Sequence, residues 1–230
     1  MRIFKDFLRV FFPNLCVGCS NELLYSETIL CNFCSNDLPI LKIDDYTDNI
    51  VTSSFYGRIP IEKSVSFLLF HKKNLVQKLI HELKYKNRED IGEYLGNSFV
   101  NSIQEGQFMR DIDYIIPVPI HSKKLKKRGY NQVMSFCESL SSEFNIPIQN
   151  EILVRLTNTK SQTSKTRLAR AETIGGDFYL QNKSLLENKH ILLVDDVITT
   201  GATIEACCKE LLKTEKLKIS VLSIAFTENT

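Results

Sequence analysis

Short continuous apolar runs, typical of buried strands, alternate along the chain with apolar residues spaced three or four apart, typical of one helix face. The run HILLV at 190–194 predicts a central strand of a parallel sheet, and Leu75, Leu79 and Leu83 predict a helix. The full pattern predicts strands near 53–56, 65–70, 113–119, 151–155, 190–194 and 219–226, and helices near 74–84, 132–144 and 203–212. We therefore expect an α/β fold, a parallel sheet flanked by helices, with ligands bound at the carboxyl ends of its strands.

The amino-terminal region follows a different pattern. Its apolar residues fall on one face of a short helix that Pro13 would end: Ile3, Phe4, Phe7, Leu8 and Phe11. Charged residues interrupt this stretch and no small-residue cleavage site follows it, which argues against a signal peptide. A helix on a membrane surface is the alternative, although the polar face is not rich in Lys and Arg. No apolar stretch is long enough to span a bilayer, and we expect a cytoplasmic protein.

Composition and charge exclude several classes of protein. Hydrophobic residues make up 43% and charged residues 24% of the chain, which is ordinary for a globular protein and excludes a disordered or collagen-like one. The formal net charge of +2 gives no overall attraction to nucleic acid or membranes, so any basic function must be local. The polar, acidic residues 42–54 are interpreted as a linker between a small module at 1–50 and an α/β domain at 51–230.

Four of the seven cysteines form two CxxC pairs: Cys16, Cys19, Cys31 and Cys34. Each pair brings two thiolates to one side of a tight turn, and two such turns close the tetrahedral cage that structural zinc prefers. A module of this size cannot build a sufficient hydrophobic core, so the metal would supply stability. Four thiolates complete the coordination shell and leave no open position for catalysis. Redox-active dithiols and an iron–sulfur cluster are the alternatives.

The stretch HILLVDDVITTGAT at 190–203 carries the most specific chemistry. An apolar strand leads into Asp195 and Asp196, and a loop of small and hydroxyl residues then leads into a helix. The backbone N–H groups of such a loop, its hydroxyls and the helix dipole form a cradle for one phosphate monoester. Two carboxylates would repel that phosphate unless they face another group, and a ribose diol, with or without Mg²⁺, is the natural partner. A chance acidic pair at the end of an unrelated strand is the alternative interpretation.

This stretch closely resembles the binding signature of type I phosphoribosyltransferases: four apolar residues, Asp-Asp, two apolar residues and Thr-Thr-Gly-x-Thr. The resemblance implies 5-phosphoribosyl 1-diphosphate (PRPP) as the ligand. It also implies that Asp195 and Asp196 are the catalytic pair and hold the ribose 2′ and 3′ hydroxyls. The 5′-phosphate would then be held by five loop residues: Thr199, Thr200, Gly201, Ala202 and Thr203.

Three further stretches narrow the resemblance: LKYK at 83–86, IPVPIHSKKLKKRGYNQ at 116–132 and RLTNTKSQTSKTRLARAETIGGDF at 155–178. Together with the cysteines ahead of them, in this order, they resemble the ComF family of ComFC/GntX-like proteins. The resemblance covers nearly the whole chain and implies an amino-terminal zinc ribbon on a type I phosphoribosyltransferase domain. It also implies a role in DNA uptake during natural transformation, with single-stranded DNA and competence proteins as partners.

The basic stretch within 116–132 follows a predicted strand, at the sheet edge where the diphosphate of PRPP is expected. Arg128 can hold phosphate oxygens through two parallel hydrogen bonds, and lysines surround it. The predicted diphosphate-binding residues are Lys84, Arg128, Gly129, Asn131 and Gln132. A solvated basic surface for the lysines, and an ordinary exposed helix end for Lys84, are the alternatives.

The segment 156–174 is polar, long for a loop and without a core pattern, which predicts a mobile lid over the diphosphate. Gln162 and Arg170 match the family pattern and are predicted lid residues. Lys165 and Thr173 depart from it, since the family usually has Leu and Asn at these positions.

The sequence leaves three functions open. An enzyme would bind PRPP with Mg²⁺, release pyrophosphate and transfer the phosphoribosyl group to an acceptor that no residue identifies. A non-catalytic protein would hold single-stranded DNA with the zinc ribbon and the basic stretch 123–128, and with Phe33, Tyr85 or Tyr130 as stacking candidates. A regulator would sense PRPP without turning it over.

Overall fold

The computed structural model describes residues 13–72, 74–155 and 177–228. Its strands are β1 (Ser64–Leu69), β2 (Tyr114–Pro117), β3 (Leu153–Arg155), β4 (Phe178–Leu180), β5 (His190–Ile198) and β6 (Lys218–Phe226). Four of them form a parallel sheet in the order β1-β6-β5-β2, while β3 and β4 pair separately as antiparallel strands. The predicted α/β class with a parallel sheet is confirmed.

Helices cover both faces of the parallel sheet. Those described are α1 (Asn32–Asn36), α2 (Ile50–Ser53), α3 (Leu75–Tyr85), α4 (Glu89–Ser102), α5 (Ser122–Arg128), α6 (Met134–Phe144) and α7 (Ala202–Leu211). Leu79, Leu95 and Phe136 bury α3, α4 and α6 in the core on one face, and Cys207 and Leu211 bury α7 in the core on the other. In the described part of the chain, no helix is long and apolar enough to cross a membrane.

The predicted strand near 53–56 is wrong, because this stretch lies in and just after the short helix α2. The Asn49 side chain starts the helix by accepting hydrogen bonds from the backbone N–H groups of Val51 and Thr52, at 2.9 and 3.2 Å. A capping asparagine makes the turn more favourable than the extended conformation that the aromatic residues suggested. Val51 and Phe55, 0% and 1% exposed, then bury this segment against the carboxyl-terminal half of the fold.

Helix α4 was not predicted, since Gly92 and Gly96 weaken its helical pattern. The structure explains both glycines by the close approach of α4 to α6. A Cβ atom at Gly92 would lie 2.1 Å from the Ser135 hydroxyl, and one at Gly96 would lie 2.6 Å from Cβ of Ser139. Residues 122–128, for which no helix was predicted, form the helix α5.

The amino-terminal module packs directly on helices of the α/β domain. Lys78 Nζ in α3 donates to the Gly18 carbonyl at 2.6 Å, and the Ser35 hydroxyl lies 2.8 Å from the Tyr94 hydroxyl in α4. Cys34 belongs to the same hydrophobic core as the strand and helix residues beneath it. The division into 1–50 and 51–230 stays a prediction. The predicted helix before Pro13 and the lid residues Gln162 and Arg170 lie outside the described residues.

Candidate functional site

The acidic pair lies near the carboxyl end of the central strand β5, which continues through both residues instead of ending before them. Successive strand residues point to opposite faces of a sheet. Asp196 accordingly reaches α3, where its Oδ2 atom lies 2.9 Å from Lys84 Nζ. Asp195 turns to the other face and accepts a hydrogen bond from the Asp196 backbone N–H at 2.8 Å. The two carboxyl groups therefore lie on opposite faces of the sheet at the end of the same strand.

Both carboxyl groups are nearly buried, at 7% and 6% exposure, and this changes their electrostatics. Burial, and next the charge of Asp196, raise the pKa of Asp195 to about 7, although Lys84 and Arg155 oppose the shift. The proton on Asp195 is therefore exchangeable close to neutral pH, and Lys84 compensates the charge of Asp196. A carboxyl group perturbed in this way, as Asp195 is, is typical of functional sites.

The predicted phosphate loop, residues 199–203, connects β5 to the amino terminus of α7. Thr199 and Thr200 are exposed, and Gly201 caps the helix with a φ of 74°, in the left-handed region that favours glycine. A Cβ atom at Gly201 would lie only 2.7 Å from Cε1 of the buried Phe55 ring. Glycine is thus required here both by the backbone conformation and by the close packing behind the loop.

Two residues behind this loop were not found by sequence reasoning. Phe55 packs against Gly201, and the Arg58 guanidinium donates to the Thr200 carbonyl at 2.9 Å and to the Glu205 carboxylate. The sequence carries no motif at Phe55 or Arg58, and the region around them was interpreted as a strand that follows a linker. Only the fold brings this segment against a loop that lies far from it in the sequence.

A basic cavity of about 600 Å³ lies beside the acidic pair, between the end of α3 and the helix α5. Among the residues that the structure describes, cations dominate its lining and no carboxylate contributes to it: Lys84, Tyr85, Lys86, Asn87, Lys124, Lys127 and Arg128. The Arg128 guanidinium carbon lies 5.5 Å from the centre of the Tyr85 ring. Two predicted diphosphate-binding residues, Lys84 and Arg128, therefore share one cavity with three further lysines.

The other predicted diphosphate-binding residues bond to neighbouring protein groups. The buried Gln132 side chain accepts a hydrogen bond from Arg128, and the Asn131 amide donates to the Val118 carbonyl at 3.0 Å. Gly129 ends α5 with a φ of 86°, and its N–H donates to the Leu125 carbonyl at 2.7 Å. These contacts fix the orientation of Arg128 and the turn that follows α5.

The sulfur atoms of Cys16, Cys19, Cys31 and Cys34 all lie within 4.8 Å of one another. Thiolates around a tetrahedral zinc ion at about 2.3 Å lie roughly 3.8 Å apart, and the Cys19 and Cys31 sulfurs are 3.7 Å apart. Burial opposes ionisation of Cys16, but backbone N–H groups of Cys19, Cys31 and Gly18 outweigh it and lower its pKa to about 6. The cluster could hold a metal ion.

Comparisons with known proteins agree with this geometry. Residues 134–229 match the phosphoribosyl transferase domain model. Competence protein F of Haemophilus influenzae is 25% identical over 226 residues, which cover 94% of this chain and 98% of that protein. Competence protein ComFC of Bacillus subtilis is 34% identical over 103 residues, 44% of this chain and 39% of that protein. These matches confirm the resemblance of this chain to the ComF family.

A third relative is DNA utilization protein YhgH of Escherichia coli (strain K12). It is 26% identical over 152 residues, which cover 65% of this chain and 66% of that protein. The phosphoribosyl transferase match contains the acidic pair and the phosphate loop, whereas Lys84, Arg128 and the cysteine cluster precede it. The predicted site residues therefore lie partly inside and partly outside the matched domain.

Proposed function

We propose that this protein binds PRPP and acts in DNA uptake, with phosphoribosyl transfer to an acceptor as its chemistry. The observation that carries the proposal is the buried acidic pair on β5, followed at once by a glycine-capped loop at a helix amino terminus. A role in DNA uptake is supported by the names of the competence and DNA utilization relatives. We place the protein in the cytoplasm, where its cysteines would stay reduced.

In this proposal each part of the PRPP molecule meets a group suited to its charge. The loop 199–203 binds the 5′-phosphate through backbone N–H groups and threonine hydroxyls, assisted by the α7 dipole. Asp195 and Asp196 accept hydrogen bonds from the ribose hydroxyls. Lys84 and Arg128, which line the basic cavity, neutralise the diphosphate.

Catalysis would be mainly electrostatic. An acceptor attacks the ribose C1′ atom while the bond to the diphosphate breaks, so positive charge develops on the ribose and negative charge on the leaving group. Lys84 and Arg128 stabilise the negative charge, and the carboxylate of Asp196 lies where it can stabilise the positive one. Mg²⁺ bound with the diphosphate would add further positive charge to the leaving group.

The cysteine cluster would hold a structural zinc ion. The donor set supports this, since four thiolates close a tetrahedral shell and leave no open position for substrate. Zinc would then fix the two cysteine turns against α3, through the contact between Gly18 and Lys78.

Replacing Gly201 by alanine tests the proposed phosphate loop. We expect PRPP affinity to fall about tenfold or more, because the new Cβ atom would meet Phe55 at 2.7 Å and the φ of 74° would be strained. Calorimetric titration of PRPP measures the effect. Gly106→Ala is the matched control, since Gly106 has a similar φ of 65° but lies far from the loop. A folded wild type that takes up no PRPP would contradict the proposed function.

A second candidate function is the binding of single-stranded DNA at the basic cavity. The observation that favours it is a set of lysines without acidic partners: within the described residues, no salt bridge involves Lys86, Lys124 or Lys127. Tyr85, 62% exposed, stands among them and offers an aromatic surface to an unpaired base.

Replacing Lys124 and Lys127 together by alanine is expected to weaken single-stranded DNA binding and to flatten its dependence on salt. The logarithmic salt slope should decrease by about 0.7 for each lost phosphate contact. Fluorescence anisotropy of a labelled oligonucleotide, measured over a range of salt concentrations, gives the slope. Lys213 and Lys216, exposed and already paired with acids, supply the control double variant. Equal slopes in all three proteins would argue against binding at this cavity.

A further inference from the structure

Residues 50–59, which lie outside the matched phosphoribosyl transferase domain, form the rear support of the phosphate loop. The segment is anchored in the core by Val51 and Phe55 and to β1 by a hydrogen bond of 2.8 Å between the Thr52 and Ser64 hydroxyls. Arg58 lies near the end of this segment, and its side chain is 35% exposed. These contacts fix the backbone that precedes Arg58, and the Arg58 side chain extends from it to the loop.

The Arg58 guanidinium joins three elements. Its Nη1 atom donates to the Ser54 carbonyl at 3.0 Å and to the Thr200 carbonyl at 2.9 Å. Its Nε atom donates to Glu205 Oε2 at 2.8 Å, and its Nη2 atom contacts the same oxygen. Because a guanidinium is planar with fixed donor directions, these bonds together determine where the Thr200 carbonyl points.

The direction of this carbonyl matters for anion binding. The Thr200 C=O and the Gly201 N–H belong to one planar trans peptide unit, in which the two groups point in opposite directions. With the carbonyl held on Arg58, the Gly201 N–H is turned away from Arg58 and is available to an anion in the loop. Arg58 and Lys209 together compensate the charge of Glu205 in the first turn of α7, where an uncompensated carboxylate would repel a phosphate.

We propose that Arg58 is a positioning residue for the 5′-phosphate: it orients the Gly201 N–H and, together with Lys209, neutralises Glu205 without touching the ligand. This inference rests on the proposed function, since it assumes that the loop 199–203 binds the 5′-phosphate of PRPP. It assigns a role to a residue in a segment that the domain match does not include.

The test compares ligands that use different parts of the site. Ribose 5-phosphate, inorganic pyrophosphate and PRPP are titrated calorimetrically into the wild type, Arg58→Met, Arg58→Lys and Arg88→Met. Arg88 is the matched control, because its side chain is 34% exposed and also holds a carboxylate, that of Asp90 at 2.8 Å. The backbone N–H resonance of Gly201, followed by NMR without ligand, reports the orientation of the peptide independently of binding.

For Arg58→Met we expect about tenfold weaker binding of ribose 5-phosphate and PRPP, as for the loss of one oriented hydrogen bond to a charged group. The affinity of Arg58→Met for pyrophosphate should stay within about twofold of the wild type, and Arg58→Lys should recover part of the loss for the other two ligands. The Gly201 resonance should shift in Arg58→Met but not in Arg88→Met.

Unchanged ribose 5-phosphate affinity in Arg58→Met would overturn the inference alone. Equal losses for pyrophosphate and ribose 5-phosphate would overturn it as well, because they indicate a general structural defect. A folded wild type that binds neither PRPP nor ribose 5-phosphate would overturn the proposed function together with the inference.

Discussion

Replacing Asp195 and Asp196 together by asparagine is expected to reduce PRPP affinity by at least about a hundredfold. At pH 8, above the Asp195 pKa of about 7, each carboxyl group would lose a charge-assisted hydrogen bond to a ribose hydroxyl. Such a bond contributes about 1.5–3 kcal/mol, and every 1.4 kcal/mol changes affinity tenfold. Calorimetric titration with and without Mg²⁺ measures the loss. Asp113→Asn is the control, because Asp113 lies at the opposite edge of the sheet and pairs with Lys189 at 3.0 Å. Equal PRPP affinity in the double variant and the wild type would exclude the acidic pair from the ligand site.

The pH dependence of stability shows independently whether Asp195 is the buried group that the structure describes. Its pKa of about 7 in the folded chain exceeds the ordinary 3.8, so folding favours the protonated form. This contribution to stability is complete below about pH 4 and is lost as the pH rises through 7. The melting temperature of Asp195→Asn should therefore equal that of the wild type at pH 4 and exceed it at pH 8. A wild type that melts at the same or a higher temperature than Asp195→Asn at pH 8 would show that Asp195 ionises easily in the folded protein.

Removal of metal from the cysteine cluster is expected to unfold the amino-terminal module and to lower the melting temperature by about 10 °C or more. The binding free energy of structural zinc, an apparent 10–16 kcal/mol or so, is available only to the folded module, and about 1 kcal/mol already shifts the melting temperature by 2–4 °C in a chain of this size. Cys16→Ser and Cys34→Ser should reproduce the effect of a chelator, since both sulfurs belong to the buried part of the cluster. Metal content by mass spectrometry and melting by circular dichroism are the measurements.

Cys137→Ala is the control for the metal experiment. Cys137 is fully buried in α6 but lies outside the cluster, so its loss should leave the metal content unchanged. A wild type that contains no zinc when purified from zinc-supplied cells, and that melts identically with and without chelator, would contradict a structural zinc site. Oxidised cysteine pairs or bound iron would instead support the redox or iron–sulfur alternatives.

The strands and helices that sequence analysis predicted best are those whose side chains meet a uniform environment. β5 is buried on both faces and α3 on one, so their apolar residues repeat regularly and are visible in the sequence. Helix α4 was missed for the opposite reason, because its contact with α6 requires glycines at 92 and 96. Local spacing can indicate burial, but it does not indicate that a second helix lies close enough to exclude a side chain.

The candidate site likewise contains residues that the sequence predicts and residues that it does not. Asp195, Asp196 and the loop after them are contiguous, so a motif predicts them together. Lys84 was a weak candidate in the sequence, and the structure places it on Asp196 at 2.9 Å. Arg58 carries no local signal at all, because its function depends on a loop that it meets only in the folded chain. Residues that support a site from a distant segment are thus the part that sequence patterns miss.

The order of strands in the parallel sheet has a consequence for synthesis of the chain. The central strands β5 and β6 come last in the sequence, whereas the outer strands β1 and β2 come first and pair only with them in the sheet. During translation, β1 and β2 therefore emerge well before the strands that will complete their hydrogen bonds. β2 has no parallel partner until β5 has left the ribosome, and β1 has none until β6 has followed. During this interval the apolar faces of β1 and β2 are exposed to aggregation unless helices of the nascent chain or chaperones cover them.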